Sequence, residues 1–292
     1  MAIGPMKDQV TVAAIAVDTK PAEIAANLDK MLAATKKAVS QGADLVLFPE
    51  LSATGFVPNH PQGDHATWLQ QVLRGAWNMA QTLDGEVVEG LLAISKETGA
   101  FVSAGMLENA GNVLYNTHVL VGDGKLWGRW RKMHIPLFEM QVYNGGDAPA
   151  VVDTPLGRIG INICFDTFMP ESTRLLGVQN AEIVLFPFAA DPAPVTPEGW
   201  FGWAGPVLHA RCSENGVFGV ACNYRGAVEY AGVPQNFPGG AVLVGPDGQA
   251  LSEVAEKIAV GTLDRAKLLE IRSRFEYTFR FRRPDLYASL AQ

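Results

Sequence analysis

The sequence predicts an α/β fold made of two similar halves, with two sheets packed face to face and helices outside them. Three observations predict it. Short apolar runs alternate with amphipathic stretches along the 292 residues, the pattern of strands interleaved with helices. Two segments recur in the same order. Ala43-Asp-Leu-Val-Leu-Phe-Pro49 returns as Ala181-Glu-Ile-Val-Leu-Phe-Pro187, and Val119-Leu-Val-Gly-Asp-Gly124 returns as Val242-Leu-Val-Gly-Pro-Asp-Gly248 with one inserted proline. The strand segments are also continuously apolar, so both of their faces need cover.

The elements follow in chain order. Val10 to Val17 is β-rich and reads as a strand. Pro21 to Val39 has helical spacing, with proline at the start, where its fixed φ and missing N–H are harmless. Leu45 to Phe48 is a buried strand ended by Pro49-Glu50, Gly85 to Thr98 a helix, and Phe101 to Met106 a strand. Tyr115 to Val121 is a strand closed by the turn Gly122-Asp123-Gly124. In the second half Ile159 to Ile163 reads as a strand and Pro170 to Leu176 as a helix. Residues 1–292 form one domain in this reading. About residues 1–9 are expected to be flexible, and about residues 268–292 to form a C-terminal tail suited to a subunit interface.

With 48% hydrophobic and 18% charged residues, the chain can supply a large core and is not disordered by composition. A net charge of −7 argues against nucleic acid or an anionic membrane as the main partner. The one basic cluster, Arg272 to Arg283, is interleaved with Phe275, Tyr277, Phe279 and Phe281, and reads as a packed or intersubunit tail. Cys164, Cys212 and Cys222 are too few for a disulfide scaffold, and no Cys/His spacing suits zinc, so no metal is expected. There is no signal-peptide pattern and no apolar run of about 18 residues. The expectation is a soluble cytoplasmic protein.

Three residues carry candidate chemistry. Cys164 ends a β-branched strand and precedes a helix beginning at Pro170. Side chains at strand C-termini point into the usual crevice of an α/β sheet, and backbone N–H groups near the sulfur can lower a thiol pKa and bind an oxyanion. A buried structural cysteine is the alternative. Glu50 is isolated by the internal repeat: after the shared Leu-Phe-Pro, the first half carries Glu50 and the second Phe188. A carboxylate at a buried strand end needs either a salt bridge or a chemical purpose. Lys132 alternates onto the face of Trp130 and His134, away from Arg129 and Arg131. It reads as a buried cation able to stabilise a thiolate or an anionic intermediate, or else as part of a solvated basic stretch. His134 is open between a Cys/His catalytic partner and a structural role.

These motifs, in order, resemble the nitrilase superfamily of carbon–nitrogen hydrolases. The resemblance is carried by Phe48-Pro49-Glu50, Arg131-Lys132-Met133-His134 and Asn162-Ile163-Cys164-Phe165-Asp166. Further matches are Pro170-Glu171, Ala210-Arg211, Asn223, Phe237 to Gly248 and Arg282 to Tyr287. It implies a four-layer α-β-β-α sandwich, consistent with the two-half reading, and a triad of Glu50 as base, Lys132 as cation and Cys164 as nucleophile. Glu139 is the candidate for a second active-site glutamate. The resemblance implies an amidohydrolase that needs no metal or organic cofactor, acts on a small molecule and forms a homo-oligomer. Phe165-Asp166 after the cysteine favours the branches acting on linear amides or N-carbamoyl compounds; a nitrile-cleaving enzyme and a catalytically silent binding module are the alternatives. Candidate substrate contacts are Phe165, Phe188, Ala189 and Trp200. Two irregular loops, 55–68 and an aromatic, proline-rich 191–206, would set specificity.

Overall fold

The computed structural model describes residues 6–57, 59–60, 63–230 and 233–291. The first half runs β1 (Gln9–Ile15), α1 (Ile24–Val39), β2 (Leu45–Leu47), α2 (His65–Met79), α3 (Glu86–Thr98), β3 (Phe101–Asn109), β4 (Leu114–Gly122) and β5 (Lys125–Arg131). The second half runs β6 (Val152–Thr154), β7 (Gly157–Ile161), α4 (Pro170–Val178), β8 (Ile183–Phe188), α5 (Pro197–Asn215), β9 (Phe218–Asn223), β10 (Arg225–Tyr230), β11 (Val233–Pro238), β12 (Ala241–Val244), β13 (Ile258–Asp264) and α6 (Arg265–Ser273).

The strands form a six-stranded sheet, β13-β1-β2-β3-β4-β5, a five-stranded sheet, β12-β9-β8-β7-β6, and the hairpin β10-β11. The internal repeat is visible in the pairing. β1, β2 and β3 are parallel neighbours and β4 returns antiparallel. β7, β8 and β9 are parallel neighbours and β12 returns antiparallel. Residues of the first sheet such as Val12, Leu45 and Leu47 share one core with Ile161, Val184 and Phe186 of the second. The opposite face of the first sheet (Val46, Val102, Val119) packs on Met31 of α1 and Leu91 of α3. The second sheet is covered by Leu176 of α4 and by Ala204 and Leu208 of α5. The result is the expected α-β-β-α sandwich, in which continuously apolar strands are buried on both faces.

Some boundaries and loops differ from expectation. The first helix starts at Ile24, because Ala22 adopts φ 63° and turns the chain before helical geometry begins. Residues 1–5 lie outside the described residues, but the expected loose stretch does not include Met6. It is buried, and its N–H donates to the Glu182 carboxylate. Of loop 55–68, residues 58, 61 and 62 lie outside the described residues, and from His65 it is already α2, capped by Asp64 accepting from Thr67 N–H at 2.9 Å. The 191–206 segment is irregular only at its start. From Pro197 it is α5, capped by Thr196 accepting from Gly199 N–H at 3.0 Å. Proline is harmless at the first helical position, and burial of Trp200, Ala204 and Leu208 offsets the hydrogen bond lost at Pro206. In the tail, Arg272 donates to the Gly216 and Ala181 carbonyls, whereas Phe275, Phe281, Leu286 and Leu290 are exposed. No helix among the described residues is long and apolar enough to cross a membrane.

Candidate active site

The C-terminal ends of β2, β5, β7 and β8 converge on one closed polar site. Glu50 follows β2 at a sharp bend, where Pro49 ends the strand and Leu51 adopts φ 53°. β3 passes so close to this bend that a Cβ on Gly105 would stand 2.1 Å from the Leu51 nitrogen. Glycine there allows the strand to run beneath the glutamate. Lys132 directly follows β5, its N–H donating to the Asn116 carbonyl and its own carbonyl accepting from Gly146, both at 2.8 Å. Cys164 stands at φ 47°, a left-handed conformation that costs a side-chain-bearing residue about 1 kcal/mol or more. The bend turns its sulfur off the strand end, toward the carboxylate.

Glu50 and Lys132 are fully buried, Glu139 is 4% exposed and Cys164 7% exposed. The Lys132 ammonium donates to Glu50 Oε1 at 2.8 Å and to Glu139 Oε2 at 2.7 Å. Glu50 also accepts from Asn116 Nδ2 at 2.7 Å on Oε1 and from the Ala189 N–H at 2.8 Å on Oε2. Glu139 accepts from Asn59 Nδ2 at 3.0 Å on its other oxygen. The Cys164 thiol stands close enough to Glu50 for each to shift the other's proton affinity.

These contacts set the protonation states. Burial raises the Glu50 pKa, and Glu139 adds to the rise while Lys132 opposes it. Burial alone would lower the Lys132 pKa, but the charges of Glu139, Glu50 and Cys164 override it and hold the ammonium well above its usual value. Burial and then the Glu50 charge push the Cys164 thiol well up, against the pull of Lys132. At rest the sulfur therefore keeps its proton beside a carboxylate whose own proton affinity is increased. That arrangement favours proton transfer as the sulfur attacks rather than a standing thiolate.

The structure thus brings together Glu50, Cys164 and the pair Lys132 and Glu139, three separate stretches of the sequence. It separates His134 from the sulfur's chemistry. The His134 ring pairs with Asp166 at 2.8 Å, and this carboxylate raises its pKa. Asp166 also accepts from the N–H groups of His134 at 2.8 Å, Met133 at 3.2 Å and Ile163 at 3.3 Å. It ties the Lys132 loop to the Cys164 bend. Cys212 and Cys222 are buried outside the site, in α5 and β9, and burial raises both thiols.

The candidate substrate contacts divide. Ala189 meets Glu50 through its backbone. Phe165 is half-buried and stacks on Phe168, ring centroids 6.0 Å apart. Phe188 and Trp200 are fully enclosed, as Glu50 and Lys132 are, and pack edge to face at 5.6 Å. From Phe165 the aromatic surface continues through Phe168 to Trp203, ring centroids 4.4 Å apart. Sequence reasoning gave no role to Asn116, used Asp166 only as a mark of the substrate branch, and placed Asn59 only within the specificity loop 55–68. Asn116 gave little signal, since it lies in the polar run Tyr115 to His118 at the start of β4 and only folding shows that its amide is buried against Glu50. Among the described residues, no group of three or more His, Cys, Asp or Glu is placed to hold a metal.

Comparison with known proteins places the chain in a family and a fold. The family model for carbon–nitrogen hydrolases matches residues 11–273. The chain is 31% identical over 259 residues to a nitrilase of Pyrococcus abyssi, covering 87% of this chain and 90% of that one. It is 30% identical over 212 residues to the N-carbamoylputrescine amidase of Solanum lycopersicum, covering 68% and 70%. The crystal structure of a carbon–nitrogen hydrolase from Helicobacter pylori G27 shares the fold, with a TM-score of 0.78 over 97% of this chain and 99% of that one at 19% identity.

Proposed function

Because the chain belongs to the carbon–nitrogen hydrolase family, we propose that it hydrolyses a non-peptide carbon–nitrogen bond in a small linear amide or N-carbamoyl compound through a thioester on Cys164. One observation carries this reading: a buried ammonium held between two carboxylates, one of them close to a thiol on a left-handed bend. A structural ion pair does not require that third group.

In the first step the sulfur forms a bond to the amide carbon while its proton passes to Glu50. Lys132 and the backbone N–H of Phe165 stabilise the oxyanion. The tetrahedral intermediate collapses, the carbon–nitrogen bond breaks, and Glu50 hands its proton to the departing ammonia or amine. In the second step water attacks the thioester, gives a proton to Glu50, and the acid leaves as the sulfur regains that proton. Glu139 fixes Lys132 and accepts an N–H of the substrate. The preference for an amide or carbamoyl group over a nitrile rests on Cys164-Phe165-Asp166, and relatives carrying both kinds of name match the chain.

The test is an ammonia-release screen across aliphatic amides, N-carbamoyl compounds and nitriles, with Cys164→Ala as the blank and intact-mass detection of an acyl group on Cys164. Release by the wild type alone, with the acyl mass on the cysteine, is the expected result. Equal release by the variant removes the mechanism, and a nitrile-only response removes the substrate class.

A further inference from the structure

Among the buried polar atoms of the described residues that have no hydrogen-bond partner, two stand near the triad, Asn116 Oδ1 and the Tyr143 hydroxyl, and the second is on a side chain with no other polar atom. Tyr143 is 3% exposed, and its phenolic oxygen finds no hydrogen bond among the described residues. It lies one helical turn after Glu139, its N–H donating to the Glu139 carbonyl at 3.0 Å, so the two side chains leave the same face of the turn. Its ring packs in the cluster that holds Leu51, the residue after Glu50, and Ala189, whose N–H bonds Glu50. Burial raises its pKa well above the usual tyrosine value, and the charges of Glu139, Lys132 and Glu50 all act on the hydroxyl. It is therefore a neutral group that can both donate and accept, facing the charges of the triad.

A buried hydroxyl left unpaired destabilises the protein, and phenylalanine would fill the same space without that penalty. The oxygen is free to bond something that enters the site. The scissile group does not account for it. A primary amide offers two N–H hydrogens, which Glu50 and Glu139 can accept, and one carbonyl oxygen, which Lys132 and the Phe165 N–H can bind. Every valence of the scissile group then has a partner, and Tyr143 is left over.

We propose that Tyr143 is a specificity-determining residue whose hydroxyl hydrogen-bonds a second polar atom of the substrate, adjacent to the scissile carbon on the acyl side. The site then prefers compounds with a nitrogen or oxygen at that place, N-carbamoyl compounds above all, over plain alkyl amides. This deepens the acyl-transfer reading and rests on it.

The experiment compares wild type and Tyr143→Phe on N-ethylurea and butyramide, which match in shape and differ by NH against CH2, and on the best substrate from the ammonia-release screen. The wild type should favour N-ethylurea over butyramide, and its best substrate should carry the second polar atom. The variant should lose about five- to tenfold in kcat/KM on the polar compounds, mainly through KM, the worth of one hydrogen bond in a closed site. On butyramide it should stay within about twofold of wild type, since no partner is lost there. Its melting temperature should be unchanged or higher, because an unpaired hydroxyl has been removed.

Four results overturn the assignment: equal losses on both members of the pair, no loss on the best substrate, a best substrate that is a plain alkyl amide, or a marked fall in melting temperature. An inactive wild type instead removes the hydrolase reading beneath it, so the two failures are distinguishable.

Discussion

Replacing Lys132 with methionine probes the charge arrangement at its centre, because methionine keeps an unbranched chain and removes the cation. In the wild type the enclosed ammonium bonds Glu50 at 2.8 Å and Glu139 at 2.7 Å. Without it, two carboxylates face each other in a closed space. Breaking a buried pair by removing one partner costs about 3–5 kcal/mol, because uncompensated charge is left behind. One carboxylate relieves part of this by taking up a proton, so we expect the lower end, about 3 kcal/mol near neutral pH. At roughly 2–4 °C per kcal/mol for a large domain, the melting temperature falls by about 6–12 °C. The deficit carries a pH signature. A carboxylate whose folded pKa is raised binds more protons in the folded than in the unfolded state, so the variant recovers as pH falls through the raised value. The lysine has the opposite dependence in the wild type. Its folded pKa lies well above the usual 10.5, so its contribution is complete below that value and is lost as pH rises through the folded one. A triple variant, Glu50→Gln with Lys132→Met and Glu139→Gln, removes all three charges and should regain most of the lost stability while staying inactive. Scanning calorimetry from about pH 5 to 8 reads the single variant's recovery toward acid and the triple variant's regained stability. A Lys132→Met variant melting within about 2 °C of wild type, or a triple variant no more stable than the single one, would refute the closed charge triple.

Three further outcomes follow from the same geometry. At position 164 glycine should be at least as stabilising as alanine, reversing their usual order, because φ 47° suits glycine; chemical denaturation showing alanine clearly ahead would contradict the strained bend. The acid limb of kcat/KM should lie above the ordinary carboxylate range, since Glu50 must be unprotonated to accept the thiol proton and burial raises its pKa; an acid limb at or below about 4.3, the unperturbed glutamate value, would show that a different group controls activity. Asp166→Ala should cost more than about 2 kcal/mol by leaving three backbone N–H groups without their acceptor, whereas His134→Ala should keep activity within several-fold. Equilibrium unfolding and the amidase assay separate these, and abolished activity in His134→Ala would restore a Cys/His reading.

The framework was legible wherever one physical signal acted without competition. Strands buried on both faces are continuous apolar runs, which made Leu45–Leu47 and Ile183–Phe188 visible. Helical spacing from Gly85 to Thr98 marked α3, whose first residue is Glu86. The first turns of α5 were hidden because Pro197, Pro206 and a cluster of aromatics carry the composition of a stiff loop, and only tertiary burial of Trp200 and Leu208 shows otherwise. Asp166 was visible as a letter in a motif, but its acceptors' work depends on a loop more than thirty residues away in sequence. Tyr143 shows the limit most plainly. A sequence can reveal that a hydroxyl is present, but not that folding leaves it without a partner.

The internal repeat explains why the site lies where it does. Glu50 and Phe188 occupy equivalent places after the shared Leu-Phe-Pro, and the two strand ends meet: the N–H of Ala189, next to Phe188, donates to Glu50 Oε2 at 2.8 Å. A symmetric pair of glutamates would set two buried like charges against each other, and a symmetric pair of phenylalanines would supply no base. Breaking the symmetry lets one strand end provide the carboxylate and the other provide an enclosing ring and a backbone donor. On this view Phe188→Glu should damage folding far more than a surface substitution, because a second buried carboxylate would compete for the one lysine that already serves two.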